Sequence, residues 1–350
     1  MLDCNQSISV IIPIINEEKF IFGAINVILE QFNFKRDFEI LISDGGSTDG
    51  TLEIINNFID KNPNIHLINN PLKIVSTGFN LALNQAKGDI IIRVDGHCEI
   101  PPDYLEKCSN LLKSYDADIV GGVIETISTG LIGKAISIAQ SSPLGVGGVK
   151  FRRMDLDEGS YVDTLAFGAH RREIFECIGG FDEEMICNQD DEFNHRAMQA
   201  GKKIWMDPTI RTKYYARSKL IKLFKQYFNY GLYKVRGIQK RGEVVSIRHL
   251  IPSTFIVALL ITLIIGFFLQ LPWVAFSVGS LYLIFNLSAS IIVSPSFRLI
   301  HLIFLAYWTL HWGYGLGFIW GLIRFVNKWK DTELKDLNFN REQFCIDNPN

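Results

Sequence analysis

The sequence predicts an α/β domain with a mostly parallel sheet, followed by C-terminal transmembrane helices. Short β-rich runs alternate with segments of helical periodicity up to about residue 212, as in a parallel sheet covered by helices. Uncharged runs long enough to cross a bilayer follow after residue 249. The chain has 350 residues, 48% of them hydrophobic, which excludes a disordered chain, a collagen-like chain and a small disulfide scaffold.

The spacing of apolar residues predicts each element of the first 212 residues. Leu52, Ile55, Phe58 and Ile59, for example, recur at helical spacing. The predicted helices are residues 17–31, 50–59, 76–86 and 191–200, the last closed by Gly201. The predicted strands are residues 9–13, 39–43, 65–69, 89–95, 119–124 and 161–166. The run 8–15 contains a proline and leads directly into polar residues, which favours a buried strand over a signal peptide.

Charge is segregated along the chain. Residues 1–212 carry 19 Lys and Arg against 31 Asp and Glu, whereas residues 213–248 carry 10 against 1. Aromatic residues are interleaved with the cations of this second segment, a pattern that fits either nucleic acid or an anionic membrane surface. The apolar runs that follow favour the membrane. We therefore predict that residues 213–248 form basic aromatic interfacial helices that contact membrane lipids, with no nucleic acid as partner.

A transmembrane region is predicted for residues 249–326, with a polar tail at 327–350. Residues 250–271 and 273–293 are uncharged, and 299–323 is a third apolar run. The excess of positive charge predicts that the first span starts on the cytoplasmic side. A third simple crossing would leave Arg324, Lys328 and Lys330 outside, against that rule. Since the third run is rich in glycine, a broken or re-entrant segment is an alternative, and the count stays open between two and four.

The cysteines give a prediction about the compartment. Six cysteines are spread along the chain without a CxxC pair or another metal-finger spacing. Reduced thiols facing the cytosol are therefore expected. The localisation predicted is the inner cell membrane, with a multi-pass anchor and the N-terminal domain facing the cytoplasm.

A glycine-rich turn follows the second predicted strand. Asp44 stands at its start, and Gly45, Gly46 and Gly50 let the backbone approach a ligand closely. Asp44 could accept hydrogen bonds from a nucleobase or a ribose. The alternative is a tight turn in which Thr48 or Asp49 caps the next helix. No GxGxxG pattern is present here, which disfavours a dinucleotide-binding domain.

Two further clusters carry candidate chemistry. Asp95 and His97 end the fourth predicted strand, where a carboxylate and an imidazole could hold Mn²⁺ or Mg²⁺ together with substrate phosphates; a turn and a surface histidine are the alternative. Asp190, Asp191 and Glu192 follow later. This acidic run is either the solvated start of a helix or the source of a general base.

Taken together, the motifs resemble those of inverting family 2 glycosyltransferases with the GT-A fold, and most of all their membrane-anchored, exopolysaccharide or succinoglycan-type branch. The resemblance covers most of residues 8–236 and rests on the segments 10–13, 16–18, 44–51, 86–89, 95–97, 179–183, 189–193, 226–228 and 230–231, with Asn80 and Arg196.

The resemblance implies a role for each site residue. Asp190 would be the catalytic base, and Asp95 with His97 would bind the metal. His97 stands where the family has the second Asp of its DxD motif, so the choice between Mn²⁺ and Mg²⁺ is open. The residues assigned to substrate binding are Pro13, Glu17, Asp44, Asp95, Asp191 and Arg196. Gln189 stands in place of a Glu, and no Gln-x-x-Arg-Trp motif of processive synthases follows.

The resulting hypothesis is a metal-dependent inverting glycosyltransferase. It would move one sugar from a nucleotide-sugar donor, expected to be UDP-linked, to a lipid-linked (polyprenyl) glycan acceptor in cell-surface polysaccharide synthesis. Two alternatives stay open: transfer directly onto polyprenyl phosphate, and a membrane-tethered nucleotide-sugar-binding protein without turnover.

Overall fold

The computed structural model describes residues 6–32, 37–146, 149–166, 168–215, 218–242 and 247–346. The chain forms two compact units. Unit 1 comprises Met1–Glu125, Arg153–Tyr214 and Leu334–Asn350, and unit 2 comprises Thr126–Arg152 and Tyr215–Glu333. Unit 1 therefore contains residues from both sides of the apolar region.

The first half of unit 1 is a parallel sheet with helical crossovers. Its strands β1 (Ile8–Ile14), β2 (Phe38–Asp44), β3 (Ile65–Asn69) and β4 (Ile90–Arg93) lie in the order β3-β2-β1-β4. The helices α1 (Ile21–Gln31), α2 (Thr51–Ile59) and α3 (Val75–Leu83) connect them. All seven residues of β1 are buried, as expected for a central strand covered on both faces. These elements confirm the predicted α/β class.

The second half continues the sheet with antiparallel pairs. In chain order, the following elements are β5 (Cys98–Glu99), α4 (Tyr104–Ser114), β6 (Ile119–Ile127), α5 (Gly130–Ser141), α6 (Pro143–Val146), β7 (Ser160–Tyr161), β8 (Ala169–Arg171), α7 (Arg172–Ile178), α8 (Gln189–Gln199) and β9 (Ile204–Tyr215). The sheet runs on from β4 as β8-β6-β9-β5, while β7 pairs with β9. Strand β8 is antiparallel to both β4 and β6, so the whole sheet is mixed.

The predicted strand 161–166 is wrong. Strand β7 ends at Tyr161, and the next strand, β8, was not predicted. The backbone pairing ends soon after β7: the N–H of Val162 donates to the Ile204 carbonyl oxygen at 3.0 Å, and Asn194 Nδ2 donates to the Leu165 carbonyl oxygen at 2.7 Å. Leu165 is buried although it belongs to no strand, so its burial contributed to a strand-like pattern.

The C-terminal tail is part of unit 1. It ends in α13 (Arg341–Ile346). Arg172 donates hydrogen bonds to the carbonyl oxygens of Ala86 (2.7 Å) and Phe344 (2.9 Å), and its guanidinium carbon lies 3.6 Å from the centre of the Phe344 ring. The carboxylate of Glu183 accepts hydrogen bonds from the backbone and side-chain nitrogens of Asn338 at 2.9 and 2.7 Å. The tail is thus fastened to the sheet domain at two places.

Unit 2 is helical. Besides α5 and α6 it contains α9 (Leu220–Arg241), α10 (Ile251–Phe268), α11 (Trp273–Val293) and α12 (Phe297–Arg324). The last three are long and apolar enough to cross a membrane, which confirms the prediction of three C-terminal apolar helices. Helix α12 is unbroken over its 28 residues, so the break considered for its glycine-rich sequence is absent.

Glycines bring the backbones of α9 and α12 into contact. A Cβ atom added at Gly317 would lie 2.0 Å from the Phe228 carbonyl oxygen, and one at Gly231 would lie 2.0 Å from the Tyr314 carbonyl oxygen. Gly313, Gly317 and Gly321 recur every four residues along this face of α12. Such small residues allow two helices to pack at close range within or beside a bilayer.

This packing predicts that Gly317→Ala destabilises unit 2. The new methyl group must push against the backbone of α9, and overpacking of this kind costs about 1–3 kcal/mol of unfolding free energy. The matched control is Gly279→Ala in α11, where the nearest atom to an added Cβ is 4.0 Å away. Thermal denaturation of the detergent-solubilised protein should show a lower midpoint only for Gly317→Ala. Equal midpoints for the two variants would contradict the close contact of α9 and α12.

Candidate active site

Loops at the carboxyl ends of β1 and β2 form a fixed rim. The backbone N–H of Asn16 donates to the Ser47 hydroxyl, and the N–H of Thr48 donates to the Asn16 side-chain oxygen, both at 2.8 Å. The N–H of Gly45 donates to the Ile14 carbonyl oxygen at 2.9 Å. Because these bonds join two loops, the residues they carry are held in one arrangement, at the strand ends where ligands of open α/β sheets bind.

Asp44 ends β2 and is buried at this rim. Its carboxylate accepts hydrogen bonds from the N–H groups of Gly46 (2.9 Å) and Ser47 (3.1 Å) and from the Ser47 hydroxyl (2.5 Å). The left-handed φ of +83° at Gly46 makes this turn possible. The turn alternative is therefore present, with Asp49 accepting from the N–H of Thr51 at 3.1 Å. Nucleotide binding by Asp44 stays a prediction, for which the carboxylate retains acceptor capacity.

Glu17 orients His97. The Nδ1 atom of His97 lies 2.9 Å from Glu17 Oε1, and since a carboxylate only accepts, the imidazole donates from Nδ1. The backbone N–H of Glu17 donates to the Thr51 hydroxyl at 2.8 Å. Gly96 allows this approach, because a Cβ there would lie 2.8 Å from the Ile14 side chain. The hydrogen bond to Glu17 fixes the orientation of the imidazole through Nδ1, as in many metal-ligating histidines.

Arg93 is a buried cation beneath Asp95. Its Nε and Nη2 atoms both lie 3.0 Å from Asp95 Oδ1, and the residue is only 5% exposed. Burial by itself lowers the pKa of Arg93, but the charges of Asp95 and then of Asp190 outweigh this effect and raise the pKa. Among the residues that the structure describes, the buried Nη1 atom has no hydrogen-bond partner. Arg93 is therefore the group through which Asp95 and Asp190 are electrostatically linked.

Asp190 lies in the first turn of α8, 95 positions after Asp95 in sequence. A small pocket brings it together with the strand β4; the lining residues are Arg93, Ile119, Leu165, Ala166, His170, Phe181, Asp190, Phe193 and Asn194. Asn188, just before the helix, has a left-handed φ of 60° that starts the helix at this point. The fold therefore assembles the end of β4 and the acidic cluster at one place.

His170 belongs to the pocket wall. Burial lowers its pKa to about 4, so the imidazole is neutral at physiological pH. Its Nδ1 atom lies 3.3 Å from the Ile91 carbonyl oxygen. Arg93 thus supplies the positive charge of this pocket at neutral pH.

Arg196 links several parts of unit 1 through hydrogen bonds. Its Nε and Nη2 atoms bond both oxygens of Glu192 at 2.6 and 3.0 Å, and Nη2 donates to the Gly180 carbonyl oxygen at 2.7 Å. It also donates to the Ile178 carbonyl oxygen. The predicted substrate-binding roles of Arg196 and of the half-buried Asp191 stay predictions.

The donor set at the rim fits a divalent cation shared with a substrate. Among the residues that the structure describes, no group of three or more His, Cys, Asp or Glu side chains could hold a metal ion alone. Mg²⁺ is commonly held by one or two protein side chains together with substrate phosphates and water. Asp95, whose Oδ1 is committed to Arg93, and the oriented imidazole of His97 match this partial donor set.

Sequence reasoning missed two pocket residues, Arg93 and His170. The usable signal for Arg93 was a single charged residue inside the apolar strand β4, since an unpaired charge there would be costly. No comparable pattern marked His170, because the strand β8 that carries it was not predicted.

Comparison with known proteins identifies the family. The profile of glycosyl transferase family 2 matches residues 9–179. The succinoglycan biosynthesis protein ExoA of Rhizobium meliloti (strain 1021) is 33% identical over 245 residues, which cover 69% of this chain and 73% of that protein. The chain therefore belongs to glycosyltransferase family 2, and it is an enzyme of that class. The resemblance inferred from the motifs is confirmed.

Two other similar proteins cover nearly the whole chain. The dolichyl N-acetyl-alpha-D-glucosaminyl phosphate 3-beta-D-2,3-diacetamido-2,3-dideoxy-beta-D-glucuronosyltransferase of Methanococcus voltae is 30% identical over 322 residues, covering 90% of this chain and 98% of that protein. The structure of the mannosyltransferase PcManGT from Pyrobaculum calidifontis, in complex with GDP-Man and Mn²⁺, is 18% identical. It aligns with a TM-score of 0.53 over 93% of this chain and 88% of that one. This likeness confirms the GT-A-like fold.

The linkage through Arg93 predicts a large loss of stability in Arg93→Met. Asp95 would lose the buried cation that it contacts at 3.0 Å, and Asp190 would lose the attraction of the same charge. Breaking a buried pair costs about 3 kcal/mol or more of unfolding free energy. Arg153→Met is the matched control, because Arg153 and Asp155 form the same Arg-x-Asp pair with side chains 45% and 67% exposed, against 6% and 19% for Arg93 and Asp95. Denaturant unfolding should give a lower unfolding free energy for Arg93→Met and an unchanged one for Arg153→Met. Equal stabilities would refute the linkage.

The pKa of His170 predicts a loss of stability in acid. The unfolded chain binds a proton at His170 near its ordinary value of 6.5, whereas the folded protein binds it only near 4. The unfolding free energy should therefore fall as pH drops from about 6.5 to about 4, by up to about 3 kcal/mol from this group. Thermal midpoints measured across this range should fall less steeply in His170→Gln. An identical slope in the variant would show that His170 does not carry the effect.

Proposed function

We propose that this glycosyltransferase is an inverting, metal-dependent enzyme that moves one sugar from a nucleotide-sugar donor to a lipid-linked glycan acceptor. The observation that carries the proposal is the link of Asp95 and Asp190 to one buried Arg93. A carboxylate beside the donor phosphates and a second one facing the acceptor are what an inverting transfer needs.

The donor would bind at the rim of the sheet. Asp44 would accept hydrogen bonds from the uracil or the ribose, with Pro13 and Glu17 beside it. Asp95 and His97 would hold Mn²⁺ or Mg²⁺ against the diphosphate. The bound cation would supply charge neutralisation for the departing nucleotide diphosphate. The Mn²⁺ and GDP-Man in the structure of the Pyrobaculum calidifontis protein support a cation and a nucleotide sugar here.

Asp190 would act as the general base. Its carboxylate would take the proton from the attacking hydroxyl of the acceptor, on the face of the sugar opposite the leaving group. Asp190 and Arg93 line the same pocket, and the charge of Asp190 raises the pKa of Arg93, which supports an attraction between the two groups. Arg93 would thus hold both Asp95 and Asp190 while touching neither the sugar nor the nucleotide.

Several observations support a membrane-bound acceptor. The chain has three helices that could cross a membrane, and α9 carries many cations beside them. The similar proteins from Rhizobium meliloti and Methanococcus voltae are named for succinoglycan biosynthesis and for a dolichyl-linked N-acetylglucosamine phosphate. A polyprenyl-linked glycan in polysaccharide synthesis, reached from the cytoplasmic side of the inner membrane, fits these features.

The first test is release of nucleotide diphosphate from a panel of UDP- and GDP-sugars by the nanodisc-held protein with a polyprenyl-linked acceptor. We expect release from one donor with Mn²⁺ or Mg²⁺, no release with EDTA, and a loss of at least about a hundredfold in Asp190→Asn, the usual size of a general-base effect. The control Asp60→Asn changes an exposed carboxylate at the end of α2 and should keep full activity.

Other outcomes would overturn parts of the proposal. Full activity in Asp190→Asn would remove its role as base. Activity that persists in EDTA would remove the cation. A product in which the sugar is joined directly to polyprenyl phosphate would favour that alternative. Tight nucleotide binding without release from any donor would favour the binding protein, which the His97 and Gln189 departures allow.

A further inference from the structure

The first half of α12 packs against α5 within unit 2. Apolar side chains form one buried cluster; its members from these two helices are Ala135, Ile136, Ala139, Leu299, Ile303, Ala306, Tyr307 and Leu310. The Ser142 and Tyr307 hydroxyls lie 2.6 Å apart, and His311 Nε2 lies 2.9 Å from the Leu144 carbonyl oxygen. One face of α12 is therefore covered by the segment 126–152 along its first four turns.

The segment 126–152 cannot reach across a bilayer. It leaves unit 1 after Glu125 and rejoins it at Arg153. Its main helix, α5, has 12 residues, which span about 18 Å, less than the hydrocarbon thickness of about 30 Å. The first four turns of α12 therefore pack on a helix that is too short to cross the membrane.

The second half of α12 packs against α9. Gly317 approaches the backbone of Phe228, and Gly321 approaches the backbone of Leu232. Helix α9 carries cations along its length, namely Lys222, Lys225, Lys234, Arg236, Lys240 and Arg241. Each Lys or Arg at the centre of a membrane helix costs about 2.5–3.5 kcal/mol, so α9 cannot lie in the hydrocarbon core. The second half of α12 is held beside it.

Helices α10 and α11 differ from α12. Protein buries 17% and 11% of the residues in their most apolar stretches, against 44% for α12. At 18 and 21 residues they fall within the range of about 17–25 residues that a membrane-crossing helix needs. The contacts of α12 with this hairpin lie at the start of α10, where Gly315 approaches Pro252, and in the middle and second half of α11. There the Tyr282 hydroxyl lies 3.0 Å from His311 Nδ1, and Asn286 donates to the Phe304 carbonyl oxygen at 3.3 Å.

The way in which the chain leaves unit 1 and returns to it limits the number of membrane crossings independently. Residues before α9 and the tail after α12 belong to this one folded unit, joined by Arg172 to Phe344 and by Glu183 to Asn338. A single folded unit lies on one side of a membrane. The number of crossings between residues 215 and 333 must therefore be even, so three crossings are excluded.

We propose that the chain crosses the membrane twice, through the α10–α11 hairpin, and that α12 lies at the interface on the side of unit 1. The turn at residues 269–272 then faces the opposite side. Arg324, Lys328 and Lys330 stay on the same side as the cations of α9, in agreement with the bias of positive charge toward one side. This topology is independent of the donor, the acceptor and the catalytic residues proposed above.

The test is cysteine labelling in sealed membrane vesicles of both orientations with a membrane-impermeant maleimide. Cys177 and Cys345 are exposed, and both belong to unit 1. Leu269→Cys and Leu271→Cys, made in separate chains, place a thiol in the hairpin turn. Peptide mass spectrometry assigns each label, and vesicles opened with detergent show that every thiol can react.

We expect Cys177 and Cys345 to be labelled in vesicles of the same orientation, and the hairpin cysteines only in vesicles of the other. Labelling of Cys345 from the side opposite to Cys177 would establish an odd number of crossings and overturn the proposal. Labelling of both hairpin cysteines from the side of Cys177 would show that the hairpin does not cross, which also overturns it. A donor assay that fails would leave either result unaffected.

Discussion

The site depends on the attraction between the buried guanidinium of Arg93 and the carboxylates near it. A cation inside the sheet is costly unless carboxylates compensate it, and Asp95 together with Asp190 fills that role. The cost of separating them fixes the end of β4 and the first turn of α8 relative to each other, although the two lie far apart in sequence. The catalytic arrangement proposed for Asp95 and Asp190 would therefore be maintained by the same electrostatic balance that stabilises the domain.

The two loops at the carboxyl ends of β1 and β2 are also held in place, on the side where the nucleotide would bind. Glu17 holds the His97 imidazole, and its own backbone is tied to Thr51, which is in turn bonded to Asp49. Thr51 also lowers the pKa of Asp49 through its hydroxyl hydrogen bond, which keeps this cap ionised. The imidazole of His97 and the backbone of Glu17 thus have their orientation set by neighbours from other loops, so little reorganisation of these groups would be needed when a substrate binds.

The sequence predicted the part of the fold in which burial is complete. Strands β1, β2 and β4 are almost entirely buried, so their apolar runs were recognisable, and Asp44 and Asp95 were found because they follow such strands. Strand β8 was not predicted, because its three residues, Ala169–Arg171, include a histidine and an arginine whose neighbours come from distant parts of the chain. The attachment of the tail by Arg172 and Glu183 could not be predicted from the sequence either, since it joins residues more than 150 positions apart.

Helix α12 shows why hydropathy alone cannot decide membrane topology. By length and composition it qualifies as a candidate span together with α10 and α11, because a helix buried against other helices and a helix facing lipid are both apolar. What separates them is the partner: α12 lies against α5, which is too short to cross, and against the charged α9. The proposed position of α12 rests on these neighbours, and the path of the chain through unit 1 independently argues against an odd number of crossings.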